Sequence, residues 1–246
     1  MPPVLPLMYA QLAEWWPLLS PPEDYADEAE FLRELLAVRG CPVGGALLEL
    51  GCGGGHLASH LRQHFALTLS DLSPAMLAQS RHLNPACAHV EGDMRSLRLG
   101  RDFDAVLVHD ASNYLLTPED LHAAIATARV HCRDGGVVVF IPDETEESFM
   151  ETTVHGGTDG NGRGIRYLEW THDPDPLDGT YVLDFTYLLR GPGSAVTTHY
   201  DRHICGLHPR EAWLDALAAA GFTPGNAFTP WGKEAFIGTL PPANDQ

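Results

Sequence analysis

Positive charge is scarce in this chain: 15 lysines and arginines stand against 33 aspartates and glutamates in 246 residues, a net charge of -18. Such an excess repels phosphate backbones and anionic lipid, so neither a nucleic-acid nor a membrane partner is expected. Long apolar runs are missing as well. Nowhere do 18 apolar residues follow one another, and the opening MPPVLPLMYAQLAEWW has no basic start and no small-residue cleavage site. The five cysteines (Cys41, Cys52, Cys87, Cys132, Cys205) are odd in number, far apart and never spaced C-x-x-C, which fits reduced thiols better than a disulfide frame. These absences together predict a cytoplasmic protein. The thirteen histidines are read as holding no metal, since HGGTD at 155–159 offers only one imidazole and one acid.

What the chain does contain is an alternation of strand and helix signals. Tyr25, Ala29, Leu32, Leu35 and Leu36 recur at helical spacing after the acidic start PPEDYADE, predicting a helix over 22–38. Strands are predicted at 46–50, 66–69 and 88–90, then in FDAVLVHD and GGVVVFIPD. The helices between them open with Pro74 and Pro118 in their first turns. Five such units over 46–142 imply an α/β fold with a parallel sheet covered on both faces. After Asp143 the period becomes two: IRYLEWTH, GTYVLDFTYLLR and AVTTHYDRHICG read as an antiparallel β-meander inserted before a helix and a closing hairpin. The expected organisation is a single domain over 1–246, with N-terminal helices (1–40) closing the site and the meander (144–206) acting as a lid.

The densest signal is ALLELGCGGGHLASHL at 46–61, with four glycines in five positions between a strand and a helix. That succession aims backbone N–H groups and a positive helix end at the carboxyl rim of the sheet, a site for a nucleotide-like ligand. Asp71, twenty positions beyond Gly51 at the end of the second strand, is placed to accept both hydroxyls of a ribose. Asp71 is also placed to cap LSPAML, a role Ser73 suits equally. Read from Gly53, GGGHLA satisfies the dinucleotide pattern G-x-G-x-x-A, so this motif alone leaves two ligands open. Three features favour S-adenosylmethionine over a nicotinamide cofactor. Glu49 would repel a pyrophosphate but attract an ammonium and a sulfonium. In EGDMRSL, Asp93 can accept from an adenine amino group while Met94 packs on the ring, and VHDASNYL borders the same crevice after the fourth strand.

ELGCGGG, Asp71, GDM after the third strand and the segment after the fourth resemble the class I S-adenosylmethionine-dependent methyltransferases, over about 46–142 for the core. The resemblance implies a Rossmann-like seven-stranded sheet whose seventh strand is antiparallel. It implies cofactor contacts from Glu49, Gly51, Gly53 and Gly55 around the methionyl part, Asp71 on the ribose, and Leu72, Asp93 and Met94 along the adenine. MYAQLAEWW, EDYADEAEFL and the meander resemble the small-molecule branch that includes amino-sugar N,N-dimethyltransferases and glycine N-methyltransferase-like enzymes. D/N-P-P-Y/F is absent after the fourth strand, where HDASNY stands, which disfavours methylation of adenine or glutamine nitrogens.

The expected activity is methyl transfer to a small-molecule amine or hydroxyl. A nicotinamide-dependent oxidoreductase and a non-catalytic S-adenosylmethionine-binding protein stand as alternatives. Tyr9, Leu12, Ala13 and Trp16 have the stripe of a helix, read either as core packing or as a closure bringing the Tyr9 hydroxyl near the reacting methyl. His109 and Asp110 stand at the strand end beside the cofactor; either of them, or Tyr9, is a candidate to take a proton from the acceptor. Tyr9, Tyr114 and Trp170 are the expected walls of the acceptor pocket, and a homodimer is the expected assembly.

Overall fold

The computed structural model describes residues 5–193 and 195–242. Its centre is a seven-stranded sheet in the order β11-β12-β5-β4-β1-β2-β3. The parallel strands are β1 (Ala46–Leu50), β2 (Ala66–Asp71), β3 (Ala88–Glu91), β4 (Phe103–His109) and β5 (Cys132–Ile141). Strand β12 (Glu234–Thr239) lies antiparallel to β5, with β11 (Thr223–Phe228) outside it as the edge hairpin.

The near-continuous aliphatic runs of β1, β4 and β5 follow from burial on both faces. Leu47, Leu107 and Val139 point to one face, where Leu32 and Leu36 of α2 (Ala26–Val38) and Leu57 and Leu61 of α3 (His56–Leu61) cover them. Their sequence neighbours Leu48, Val106 and Val138 point to the other, against α5 (Pro118–His131) and α6 (Arg210–Ala219). Helix α4 (Pro74–Leu83) starts where Ser73 accepts the Met76 N–H at 3.1 Å, and α5 where Thr117 accepts the Asp120 N–H at 3.1 Å.

The meander forms a second antiparallel sheet, β10-β9-β8-β6, from β6 (Thr152–Gly156), β8 (Arg163–His172), β9 (Thr180–Arg190) and β10 (Val196–Gly206); the short β7 (Asp159–Gly160) pairs with β8. Strands β6 and β7 are not among the predicted strands. They hold the glycine-rich loop as a hairpin partner of β8.

The predicted N-terminal helix is not continuous. Single 3-10 turns at Leu7–Tyr9 and Ala13–Trp15 precede the four-residue α1 (Trp16–Leu19). Ala10 leaves the helical region at φ -125, ψ -93, and the N–H groups of Leu7 and Met8 donate to the carboxylate of Asp201 on β10, both at 2.9 Å. Of the predicted stripe Leu12 and Ala13 are buried and Tyr9 and Trp16 half-buried, while Met8, Leu12 and Trp15 pack on Ile165, Tyr187 and Leu189 of the meander. This segment ties the second sheet down above the carboxyl rim of the first.

Candidate active site

Between the strand ends, the N-terminal segment and the meander lies a cavity of about 960 Å³. That is at the upper end of the usual range for ligand sites. Gly51 and Gly53 line it, both at positive φ (75° and 52°). A Cβ on Gly51 would overlap that of Ala111, so this glycine lets the loop approach the segment after β4. Gly55 is different. Although also at positive φ (72°), it does not line the cavity, and a Cβ there would overlap Ser80 Oγ of α4 and sit 2.5 Å from Asn84 Nδ2. The expected ligand contact at Gly55 is replaced by close helix packing.

Asp71 lines the cavity and organises the loop. Its Oδ2 accepts the Gly53 N–H at 2.7 Å and its Oδ1 accepts the Ser73 N–H at 2.8 Å. Ser73 is the cap of α4, leaving the Asp71 carboxylate facing the crevice. Burial pushes its pKa up, opposed by those two N–H groups. Leu72 lies beside it in the wall.

Glu49 is only 3% exposed, and its Oε2 has no hydrogen-bond partner among the described residues. Burial pushes its pKa up to about 8; His109 opposes this, while Asp71 and Asp110 add to it. Without a cationic ligand the group therefore holds its proton near neutral pH. A buried, unpartnered carboxyl oxygen in a glycine-walled cavity fits an ammonium and does not fit a diphosphate.

His109 lines the cavity with both ring nitrogens near acids: Nε2 is 3.1 Å from Glu28 Oε2 and Nδ1 is 3.3 Å from Asp110 Oδ2. The Glu28 approach is an ion-pair distance without hydrogen-bond alignment. Burial lowers the His109 pKa, but Asp110 and Glu28 outweigh it and the net direction is up. An imidazolium between two carboxylates has no free lone pair, which counts against the expected proton-accepting role. Asp110 itself has φ 51, rare for a non-glycine residue, and pairs with Lys233 Nζ at 3.2 Å. Lys233, the only lysine in the sequence, also pairs with Asp143 at the end of β5.

Asp93 is more committed than expected. Its two oxygens accept from Arg95 at 2.7–3.2 Å, and Arg95 lowers its pKa. Met94 lines the cavity and also packs against the β4–α5 core.

On the far side, Tyr114 donates to Tyr9 Oη at 3.2 Å and lies 2.8 Å from Nδ1 of His203, whose Nε2 is 3.2 Å from Asp201. Tyr9 and Tyr114 both line the cavity, and burial drives both phenol pKa values far above their ordinary range. Trp170 does not line it. Odd-numbered residues of β8, Tyr167 and Glu169, face the cavity, whereas Trp170 points to the opposite face, 53% exposed and stacked on His172 at 4.6 Å. Asp143 and Glu169 enter the wall without having been singled out as its residues, and His203 joins them.

His56, His60 and His64 stand four residues apart, a ligand spacing the no-metal expectation did not weigh. The fold uses two of them separately: His56 stacks on Trp16 at 6.0 Å, and His60 Nε2 is 2.8 Å from the Pro22 carbonyl oxygen. Among the described residues no three His, Cys, Asp or Glu side chains are gathered for a metal, and no helix is long and apolar enough to cross a membrane.

Residues 47–136 match the methyltransferase domain family. Over 230 residues the chain is 34% identical to the dTDP-3-amino-3,6-dideoxy-alpha-D-glucopyranose N,N-dimethyltransferase of Streptomyces fradiae, covering 91% of this chain and 88% of that protein. The chain belongs to the class I S-adenosylmethionine-dependent methyltransferases. The solved structures agree. A sugar N-methyltransferase from Streptoalloteichus superposes with a TM-score of 0.83 at 27% identity, covering 97% of this methyltransferase and 95% of that chain. An S-adenosylmethionine-bound amino pentose methyltransferase from Micromonospora echinaspora gives 0.77 at 26%, covering 87% and 91%. The methyltransferase is thus an enzyme of small-molecule chemistry whose cofactor is S-adenosylmethionine, and the nicotinamide alternative falls.

Proposed function

We propose that this methyltransferase alkylates the nitrogen of a small amine, an amino sugar by its likeness to the sugar N-methyltransferases. The observation that carries an amine over a hydroxyl is the protonation state of the wall. Both His109 nitrogens face carboxylates and burial holds Tyr9 and Tyr114 as neutral phenols, so none of these three offers the strong base that ionising an alcohol needs. An uncharged amine needs none.

The cofactor, when bound, supplies an electrophilic methyl on a sulfonium. In this reading Glu49 pairs with the methionyl ammonium, giving up its own proton as the cation arrives. Asp71 holds the ribose hydroxyls while keeping the Gly53 loop in place, and Leu72 and Met94 flank the adenine. Asp93, already bound by Arg95, offers the adenine amino group at most a remaining lone pair. Tyr9 and Tyr114 wall the acceptor, with the N-terminal segment and the meander excluding water above it. A protonated amine must first lose its proton. Glu169 is the acceptor best placed for it, since burial and the neighbouring Asp143 charge raise its carboxyl group above the ordinary range, whereas both Asp143 oxygens are taken by Lys233 and Asn113. Alignment of nitrogen, methyl carbon and sulfur in a dry cavity supplies up to about 7–11 kcal/mol of the acceleration.

The test is a calorimetric titration with S-adenosylhomocysteine, followed by an acceptor panel of amino sugars and matched hydroxyl sugars read by mass spectrometry. Gains of one or two methyl masses confined to the amines are expected. Methylation confined to the hydroxyl compounds would refute the reading.

A further inference from the structure

The acceptor end of the cavity holds more negative charge than its cations balance. Asp110, Asp143 and Glu169 all line it, from the ends of β4 and β5 and from β8. Lys233 pairs with both aspartates and the His109 imidazolium lies 3.3 Å from Asp110, so the aspartates are balanced and Glu169 is left without a cation. The nearest hydrogen-bond donor to Glu169 is the Thr171 hydroxyl at 3.4 Å. Tyr187 lines the same cavity with no exposed surface, and its buried hydroxyl has no partner among the described residues. A polar atom that buried calls for a partner, and at a cavity wall a ligand group can supply it.

The basic side chains are already engaged. Both arginines that line the cavity are tied: Arg95 to Asp93 and Asp120 at 2.7 Å each, and Arg202 to Asp184 through Nε at 2.7 Å and Nη2 at 2.8 Å. On the neighbouring strands, Arg166 and Arg190 share Asp159. A diphosphate needs guanidinium or ammonium donors to replace its water, and here each candidate would first have to leave a carboxylate.

From this arrangement, and resting on the amine reading above, we infer that the acceptor arrives as an organic cation without phosphate: an amino sugar held as a simple glycoside, not as a nucleoside diphosphate. The Glu169 carboxylate receives the ammonium, and the Tyr187 hydroxyl meets a sugar hydroxyl. The site thereby departs from its relative named for a dTDP-linked amino sugar. Selectivity comes from repulsion of the wrong ligand as much as from attraction of the right one.

Two acceptors that share one amino sugar separate the possibilities: methyl 3-amino-3,6-dideoxy-α-D-glucopyranoside and the dTDP ester of the same sugar. With the enzyme as it stands, kcat/KM for the glycoside is expected to exceed that for the dTDP sugar by about tenfold or more, or 1.4 kcal/mol. Free dTDP is expected not to compete at micromolar concentration. Glu169→Gln should raise KM for the glycoside by about tenfold and narrow the gap. A ratio below that, or micromolar competition by dTDP, overturns the inference while leaving the amine reading intact. Methylation of neither compound by protein that binds S-adenosylhomocysteine overturns both.

Discussion

Two glycines of one loop serve different ends, and alanine separates them. At Gly55 the alanine must occupy φ 72, which costs an L-residue about 1–2 kcal/mol. Its methyl also meets Ser80 and Asn84, both fully buried, with Asn84 fixed by donating to the Gly55 carbonyl oxygen at 2.8 Å. Overpacking of that kind adds about 1–3 kcal/mol, for a total near 2–5 kcal/mol. In a chain of this size each kcal/mol lowers Tm by about 2–4 °C, so Gly55→Ala should melt about 4–20 °C below the parent. At Gly53 φ is 52 and the nearest atom to an added Cβ is Met76 Cε at 3.6 Å, ordinary contact, so only the backbone cost of about 1–2 kcal/mol applies. Gly53 lines the cavity, however, and its methyl would take up room intended for the ligand. Thermal melts and titration with S-adenosylhomocysteine should therefore dissociate: Gly55→Ala loses stability and keeps its affinity once folded, whereas Gly53→Ala loses affinity by about tenfold with the smaller drop in Tm. The opposite pattern would refute the assignment of Gly55 to helix packing.

Glu49→Gln removes a group that titrates near pH 8 in the native protein against about 4.5 in the unfolded chain. Between those values the native state binds the extra proton, so this carboxyl's contribution to stability falls by about 1.4 kcal/mol for each pH unit gained in that window. Melts at pH 5 and pH 8 should show the variant gaining on the parent as pH rises, while its affinity for S-adenosylhomocysteine collapses. Asp71→Ala unpairs the Gly53 and Ser73 N–H groups, at about 1–3 kcal/mol, and should weaken cofactor binding more than acceptor binding, read by KM for each. Trp170→Ala, on the exposed face of β8, should leave kcat/KM within about twofold of the parent in the methylation assay, since it clears no cavity wall.

The central sheet was legible because its residues obey local rules. Leu47 and Leu48 are buried on opposite faces, as continuous aliphatic runs require, and the Ser73 and Thr117 caps stand where Pro74 and Pro118 announce them. Glu49 and Asp71 could be placed in the crevice because strand ends have fixed positions relative to the glycine turn. Other features depend on distant partners. The N-terminal stripe has helical spacing, yet Asp201, more than 190 residues away, draws the Leu7 and Met8 N–H groups and the helix never closes. Trp170 failed as a wall by a single step of strand parity, since Glu169 beside it faces inward. Period two was visible in β8, but which parity faced the cavity was not. Lys233 meets Asp143 across 90 positions, and nothing in WGKEAF advertises that meeting.

The grip of Asp201 on the N-terminal segment acts on main-chain amides alone. Exchanging the side chain at position 7 leaves both donors in place, so a wide vocabulary of residues there is compatible with a closed roof. Proline is the exception, because it has no amide hydrogen to offer. Leu7→Pro would strand one carboxylate oxygen of a residue only 4% exposed and loosen the roof without altering any group that touches a ligand. A sequence position can therefore be permissive to nineteen residues and closed to one, and that asymmetry would trace to a single buried acid on the far side of the chain.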